Sequence, residues 1–349
     1  MSSKIGYGSN SDGFFTSGGT LGNLTALLAA RQAKFSYDIW TEGIKTEEKP
    51  AFFVSKLAHY SIKRAVQIMG FGETSVIPVE VNSEYSMDIN DLQNKYAHAI
   101  SEGMTPVCVA ASSCCTPTGS YDDLNAIADF CEQNNLWMHI DGAHGASALL
   151  SDKYKQLLSG AERADSIAWD AHKMMLMPAL ITAVIFKNGD NSYESFSQKA
   201  SYLFENEAKD EWYNLAHRTM ECTKTSMIFK LYGCLKLYGE KFFGEFIDYV
   251  YDLTKTFSEI INETDDFETV MMPQANIICF KHIPSYDCDI NEHQKQIRRK
   301  LLNLGNYYIV QTNIESNSYL RCTIINPLTK LEDLKELLED IRKIAIRMD

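Results

Sequence analysis

The sequence has no C-x-x-C pair, no apolar run of membrane-spanning length, no internal repeat and a deficit of basic residues, and each absence removes a class of protein. Its nine cysteines are odd in number and irregularly spaced, with Cys114 and Cys115 adjacent. Neither a disulfide framework nor a zinc knuckle is indicated, and no metal site is expected. The 33 Lys and Arg residues against 46 Asp and Glu leave a net charge of −13. That sign is wrong for neutralising nucleic-acid phosphates or an anionic bilayer. No stretch approaches the roughly 20 apolar residues that a spanning helix needs, and Met1 to Phe15 is polar and Gly/Ser-rich rather than signal-like. The expectation is a cytoplasmic protein with reduced thiols, acting on small molecules without nucleic-acid or membrane partners.

What is present is ordinary globular sequence: 349 residues, 45% hydrophobic and 23% charged, enough for about two average domains. Gly13 to Thr20 reads as a glycine-rich turn opening a helix, because Leu21, Leu24, Leu27, Leu28 and Ala30 follow at helical spacing. Short apolar strands (51–55, 75–81, 106–111, 136–140, 166–169, 180–186) then alternate with helices (59–69, 87–100, 122–134). Such alternation predicts a wound α/β sheet covered on both faces. Residues 188–212 form a long polar connection of the kind that often carries function. Residues 225–261 are helical with a break near Gly239. The remainder, a strand at 276–280, a helix at 292–304, strands at 307–312 and 319–325 and a helix at 331–347, reads as a small second domain. The division is placed at 1–262 and 263–349.

Four features carry chemistry. Gly18, Gly19 and Thr20 precede a helix, where backbone N–H groups suit a phosphate, although a Gly-Gly pair also serves as a plain turn. Asp141 ends a buried strand and enters a small-residue loop, the edge at which open α/β sheets place ligands; a helix cap is the alternative. Lys173, in Asp170-Ala171-His172-Lys173, follows another strand that reaches the same edge. It can form a Schiff base if desolvated, and is otherwise one more surface lysine. Arg321 lies in the last strand of the small domain, as a bidentate carboxylate fork or a structural ion pair. A phosphate turn, a strand-end Asp, a lysine and the ring of His59 together define a pyridoxal phosphate site.

With these residues in view, the chain resembles the group II pyridoxal-phosphate-dependent amino-acid decarboxylases, which act on glutamate, cysteine sulfinate, 2,4-diaminobutyrate and aromatic amino acids. The matching stretches are Phe15 to Arg31, Ala58 to Lys63, Gly119 to Asp122, Ile140 to Ala143, Ala164 to Met175, Ala200 to Phe204 and Leu320 to Pro327. They run in family order across residues 13–349. The resemblance implies fold type I, aspartate-aminotransferase-like. It comprises a large domain with a mostly parallel seven-stranded sheet, a small C-terminal α+β domain and a homodimer. It also implies roles for single residues. Lys173 would bond the cofactor, His172 contact its phosphate beside Gly18, Gly19 and Thr20, Asp141 bond the pyridine nitrogen, His59 stack on the ring, and Ala143 pack beneath it. Arg321 would hold the substrate carboxylate, Thr116 would approach the substrate, and Tyr213 would return a proton to Cα.

The departures are Asp170-Ala171 in place of Asn-Pro, Cys114-Cys115-Thr116 in place of a Gly-Thr-Thr run, His144 in place of Tyr, and the lack of most of the family's usual N-terminal segment. A carboxylate near a phosphate is electrostatically awkward unless it faces elsewhere. The expected reaction is decarboxylation of a small polar or acidic L-amino acid to its amine. Two other readings remain: an aminotransferase or lyase on the same fold, and a truncated homologue that binds cofactor without turnover.

Overall fold

The computed structural model describes residues 1–196 and 213–346. They form two compact units, Met1–Cys114 with Tyr121–Gly244, and Cys115–Ser120 with Glu245–Asp349. The division falls ahead of the 262/263 boundary read from the sequence and runs through the long helix rather than after it.

In the first unit the elements are α1 (Ser2–Ile5), β1 (Asp12–Thr16), α2 (Gly19–Lys34), α3 (Ile39–Glu42), β2 (Pro50–Ser55), α4 (Tyr60–Ile68), β3 (Val76–Val79), α5 (Ile89–Ser101), β4 (Thr105–Ser112), α6 (Leu124–Gln133), β5 (Trp137–Asp141), β6 (Ser166–Asp170) and β7 (Thr182–Phe186). The helix α7 (Ile228–Asn262) follows, interrupted at Gly239 by a left-handed residue with φ 73°. The seven strands form one sheet in the order β1-β7-β6-β5-β4-β2-β3. Pairings from β3 through β6 are parallel, while β7 is antiparallel to β6 and β1 antiparallel to β7. Six of these strands are legible as apolar runs. The seventh, β1, hides in Asp12–Thr16, the stretch read as a turn.

Helix α2 is the axis of the first unit. Residues Gly22 through Arg31 are all buried, so α2 lacks the polar face of a surface helix. Its apolar side chains pack with Phe52, Val54, Trp137 and Phe186 in one core cluster. Each large side chain buried in this way contributes about 2 kcal/mol. Gly22 permits the close approach to β7, because a Cβ there would stand 3.1 Å from Thr182 Cγ2 and 3.2 Å from Val184 Cγ2. The start of α2 is thereby fixed at the C-terminal edge of the parallel strands.

The second unit holds a four-stranded antiparallel sheet in the order β10-β11-β9-β8, from β8 (Phe267–Thr269), β9 (Ile277–His282), β10 (Val310–Ile314) and β11 (Asn317–Thr323). Helices α8 (Ile290–Leu304) and α9 (Leu331–Ile346) complete it. Asp289 caps α8 by accepting from the N–H groups of Asn291 and Glu292, and Gly305 ends the helix in the left-handed conformation. The strand read at 307–312 begins later, at Val310, and β8 has no counterpart in the sequence reading.

Candidate active site

The site grows from the alternation of β5. Side chains two apart on a strand share a face, so Trp137, His139 and Asp141 point the same way, toward α2. Asp141 ends the strand with its Oδ2 accepting from Asn23 Nδ2 at 3.0 Å and its Oδ1 from the Ala143 N–H at 3.3 Å. Asn23 Nδ2 also donates to Ser61 Oγ at 2.9 Å, and Ser61 Oγ lies 2.8 Å from His59 Nδ1. His59 is the N-cap of α4, accepting from the Ser61 N–H. Burial holds its imidazole below the usual range, with Asp141 opposing and Lys173 reinforcing that shift. The cap position thus brings His59 within electrostatic reach of both.

The neighbouring strand β6 ends at Asp170, which is 1% exposed. Its Oδ2 lies 2.9 Å from Lys173 Nζ and 3.5 Å from His172 Nε2, and its Oδ1 accepts from the Thr182 hydroxyl. Lys173 is part-exposed, in the turn that follows β6. The ring of His172 is held at Nδ1 by the backbone of Ile181.

Gly18 precedes α2 with φ +108°, a conformation that favours glycine. No side chain caps the helix start, so a 16-residue helix presents uncapped N–H groups and its positive dipole end here. A Cβ on Gly19 would lie 3.3 Å from Asp170 Oδ1 and 3.5 Å from Ala143 Cβ. Gly18, Gly19, Thr20, Asp141, Ala143, His172, Lys173 and His59 therefore converge at one sheet edge. The departure at Asp170 resolves here: the carboxylate faces the glycine turn and is paired with Lys173.

Arg321 and Thr116 meet in the second unit, where Arg321 Nη1 donates to the Thr116 carbonyl at 2.7 Å. The Arg321 Nε is buried without a hydrogen-bond partner. Tyr213 is 67% exposed, next to residues 197–212. The Ala200 to Phe204 stretch lies outside the described residues. Sequence reasoning missed Asn23, Ser61, His139 and Ser166. The available signal was a lone Asn inside an apolar helix, facing a strand whose alternate positions are Trp, His and Asp.

This arrangement fits pyridoxal phosphate: an uncapped helix start for an anion, a strand-end carboxylate for the ring nitrogen, and a lysine paired to the carboxylate that ends the neighbouring strand. The comparisons agree. The chain matches the pyridoxal-dependent decarboxylase conserved domain over residues 2–283. It belongs to this family, and is a pyridoxal-phosphate-dependent carboxy-lyase of fold type I. It is 31% identical over 346 residues to the acidic amino acid decarboxylase of Homo sapiens, covering 95% of this chain and 66% of that one. It is 29% identical over 349 residues to the aromatic-L-amino-acid decarboxylase of Bacillus atrophaeus, covering 99% and 71%. Among solved structures, mouse CSAD superposes with a TM-score of 0.91 at 27% identity, over 98% of this chain and 73% of that chain. The glutamate decarboxylase domain of the diaminobutyrate-pyruvate transaminase and L-2,4-diaminobutyrate decarboxylase of Vibrio parahaemolyticus gives 0.86 at 28%, over 99% and 70%.

Proposed function

We propose that this chain removes CO2 from a small polar or acidic L-amino acid, of the glutamate, cysteine-sulfinate or diaminobutyrate kind. The observation that carries the reading is the convergence of the α2 start, Asp141, His59 and Lys173 on one sheet edge. The relatives named for acidic amino acids and diaminobutyrate support the substrate class.

The residues divide the work as follows. The N–H groups and hydroxyl of Gly18, Gly19 and Thr20, with His172, would hold the phosphate. Lys173 would bond the cofactor, Asp141 would accept from its ring nitrogen, and His59 and Ala143 would pack against its ring. Pyridoxal phosphate, when bound, supplies the ring that draws off the electron pair left as CO2 departs. Arg321, whose buried Nε is unpartnered, offers a charged donor to the substrate α-carboxylate, with Thr116 beside it. Tyr213 returns a proton to Cα after CO2 has left. Its exposure beside residues 197–212 is consistent with a group that acts from a loop.

The protein works as a cytoplasmic homodimer in this reading. The first half of α7 exposes Phe229 (71%), Leu237 (78%) and Tyr238 (60%), an apolar face of the sort that marks a subunit contact. Sedimentation showing a monomer at micromolar concentration would remove the dimer from the proposal. The reaction is tested by CO2 release from a panel of acidic, basic and aromatic L-amino acids with cofactor supplied, beside the Lys173→Ala variant. Release from an acidic amino acid or diaminobutyrate that vanishes in Lys173→Ala is expected. Release from aromatic substrates alone would overturn the substrate class, and none from any would overturn the reaction.

A further inference from the structure

The hydrogen bonds behind Asp141 admit one arrangement of protons, and it passes through Asn23. The carboxylate of Asp141 accepts from Asn23, which identifies the Asn23 atom facing it as the amide nitrogen Nδ2. The Asn23 Oδ1 is then an acceptor, so the contact at 3.0 Å from His139 Nε2 is a donation from the histidine. His139 is fully buried and burial pushes its imidazole down to about 4, so the ring is neutral and its Nδ1 accepts. The partner of Nδ1 is Ser166 Oγ at 2.9 Å, placed opposite His139 by the parallel register of β5 and β6. The Ser166 oxygen in turn accepts from Trp137 Nε1 at 2.9 Å, a group that only donates.

The other branch is equally directional. The second Asn23 amide hydrogen goes to Ser61 Oγ, which leaves the Ser61 hydroxyl hydrogen for His59 Nδ1. The Ser61 N–H points at the same nitrogen at 3.3 Å. Nδ1 of His59 is therefore an acceptor, and the proton of the neutral ring sits on Nε2. Asn23, Ser61, His139 and Ser166 are each no more than 1% exposed, so water does not compete for these bonds.

We propose that Asn23 is a positioning residue for the decarboxylation, aiming the Asp141 carboxylate and setting the His59 tautomer through one amide group, with His139, Ser166 and Trp137 as its fixed backing. This inference rests on the roles given above to Asp141 and His59. Asn23 Nδ2 donates to both branches, and losing such outer partners typically costs about tenfold or more in function.

The test uses full-length protein loaded with pyridoxal phosphate. Asn23→Leu keeps the branched shape and heavy-atom count, adds some bulk, and removes both donors. Its cofactor dissociation constant is expected to rise about tenfold and kcat to fall about tenfold, with KM changed less than about threefold. Asn23→Asp sets two carboxylates face to face, so one must hold a proton. Its cofactor absorbance and affinity are expected to become pH-dependent and to recover toward wild type as pH falls below about 6. A purely structural role for Asn23 would not produce that recovery. If Asn23→Leu folds poorly, the His139 pair decides. His139→Gln keeps a donor toward Asn23 Oδ1 and should retain more cofactor affinity than His139→Leu. Asp141→Asn separates the inference from the reading beneath it. Loss of cofactor affinity in Asp141→Asn, with both Asn23 variants within twofold of wild type and flat in pH, overturns the inference alone. Wild-type cofactor binding in Asp141→Asn overturns the role of Asp141 and the inference with it.

Discussion

Asp141 and Asp170 end adjacent strands of one sheet, yet their carboxylates are held in opposite ways. Asp141 is bound by uncharged donors, the Asn23 amide and the Ala143 N–H. Asp170 is buried, with a cation at 2.9 Å in Lys173 and the Thr182 hydroxyl on its other oxygen. Neutral donors orient a carboxylate without cancelling its charge, which suits the ring nitrogen proposed above as the partner of Asp141. Until Lys173 bonds the cofactor, its ion pair cancels the charge in place, and so Asp170 can sit beside the uncapped start of α2 without repelling an arriving anion as a bare carboxylate would. A charge kept for a ligand and a charge kept for the protein are told apart by what holds them.

The contrast breaks most severely at Lys173. Lys173→Ala removes the proposed cofactor bond and also strips Asp170 of its cation. Activity is expected to fall by about a thousandfold or more. Stability is expected to drop by about 1 kcal/mol, at the low end for a buried pair because the Lys173 side chain is 37% exposed. The double variant with Asp170→Asn should recover the stability and none of the activity. Thermal melts and CO2 release measured on the four members of the cycle check both halves; a double variant no more stable than Lys173→Ala would show that Asp170 does not depend on this cation.

A smaller effect sharpens the comparison from the anion's side. Asp170→Asn leaves the Thr182 contact possible and removes the charge that stands 3.3 Å from where a Cβ on Gly19 would lie. Binding of pyridoxal phosphate should tighten by about threefold to tenfold at low salt, and the gain should shrink as salt screens it. Fluorescence titration at two ionic strengths measures this. Weaker binding in Asp170→Asn would mean that the ion pair with Lys173, rather than freedom from charge, prepares the site.

Asp141 and Lys173 were legible in the sequence because strand ends and motif spacing are local signals, and the resemblance assigned their partners. The backing of Asp141 was not legible. It requires the register that sets Ser166 opposite His139 and the packing that turns Asn23 toward β5, both long-range facts. The reading of Met1 to Phe15 as a polar Gly/Ser-rich stretch and of Gly13 to Thr20 as a turn missed β1 for a related reason. Asp12–Thr16 is a strand only because β7 offers an antiparallel edge to it, and its burial alternates rather than running apolar throughout. The Asn-to-Asp departure at 170 was visible as a letter, but its meaning needed the 2.9 Å contact with Lys173.

The mildest prediction extends the same contrast to stability against pH. Burial holds both His139, in the first unit, and His282, in the second, down to about 4, against about 6.5 in an unfolded chain. Between those values the unfolded chain binds more protons than the native one, so each histidine makes stability fall as pH drops from about 6.5 toward 4, levelling below that. Asp122, buried under the N–H groups of Ser112 and Met87, is raised to about 6. It has the opposite sign, because the native state keeps its proton there and stability falls as pH rises from about 4 to 6. Two histidines against one carboxylate leave a net loss on acidification of a few kcal/mol at most from these three groups. His282→Gln should flatten the acid limb of a urea-melt series between pH 6.5 and 4, and Asp122→Asn should steepen it. If His282→Gln leaves the slope unchanged, His282 is reaching solvent and protonating in the native fold; the same outcome in His139→Gln would be the more damaging, because a protonated His139 could not accept from Ser166, and the proton order that runs to Asn23 and Asp141 would be lost.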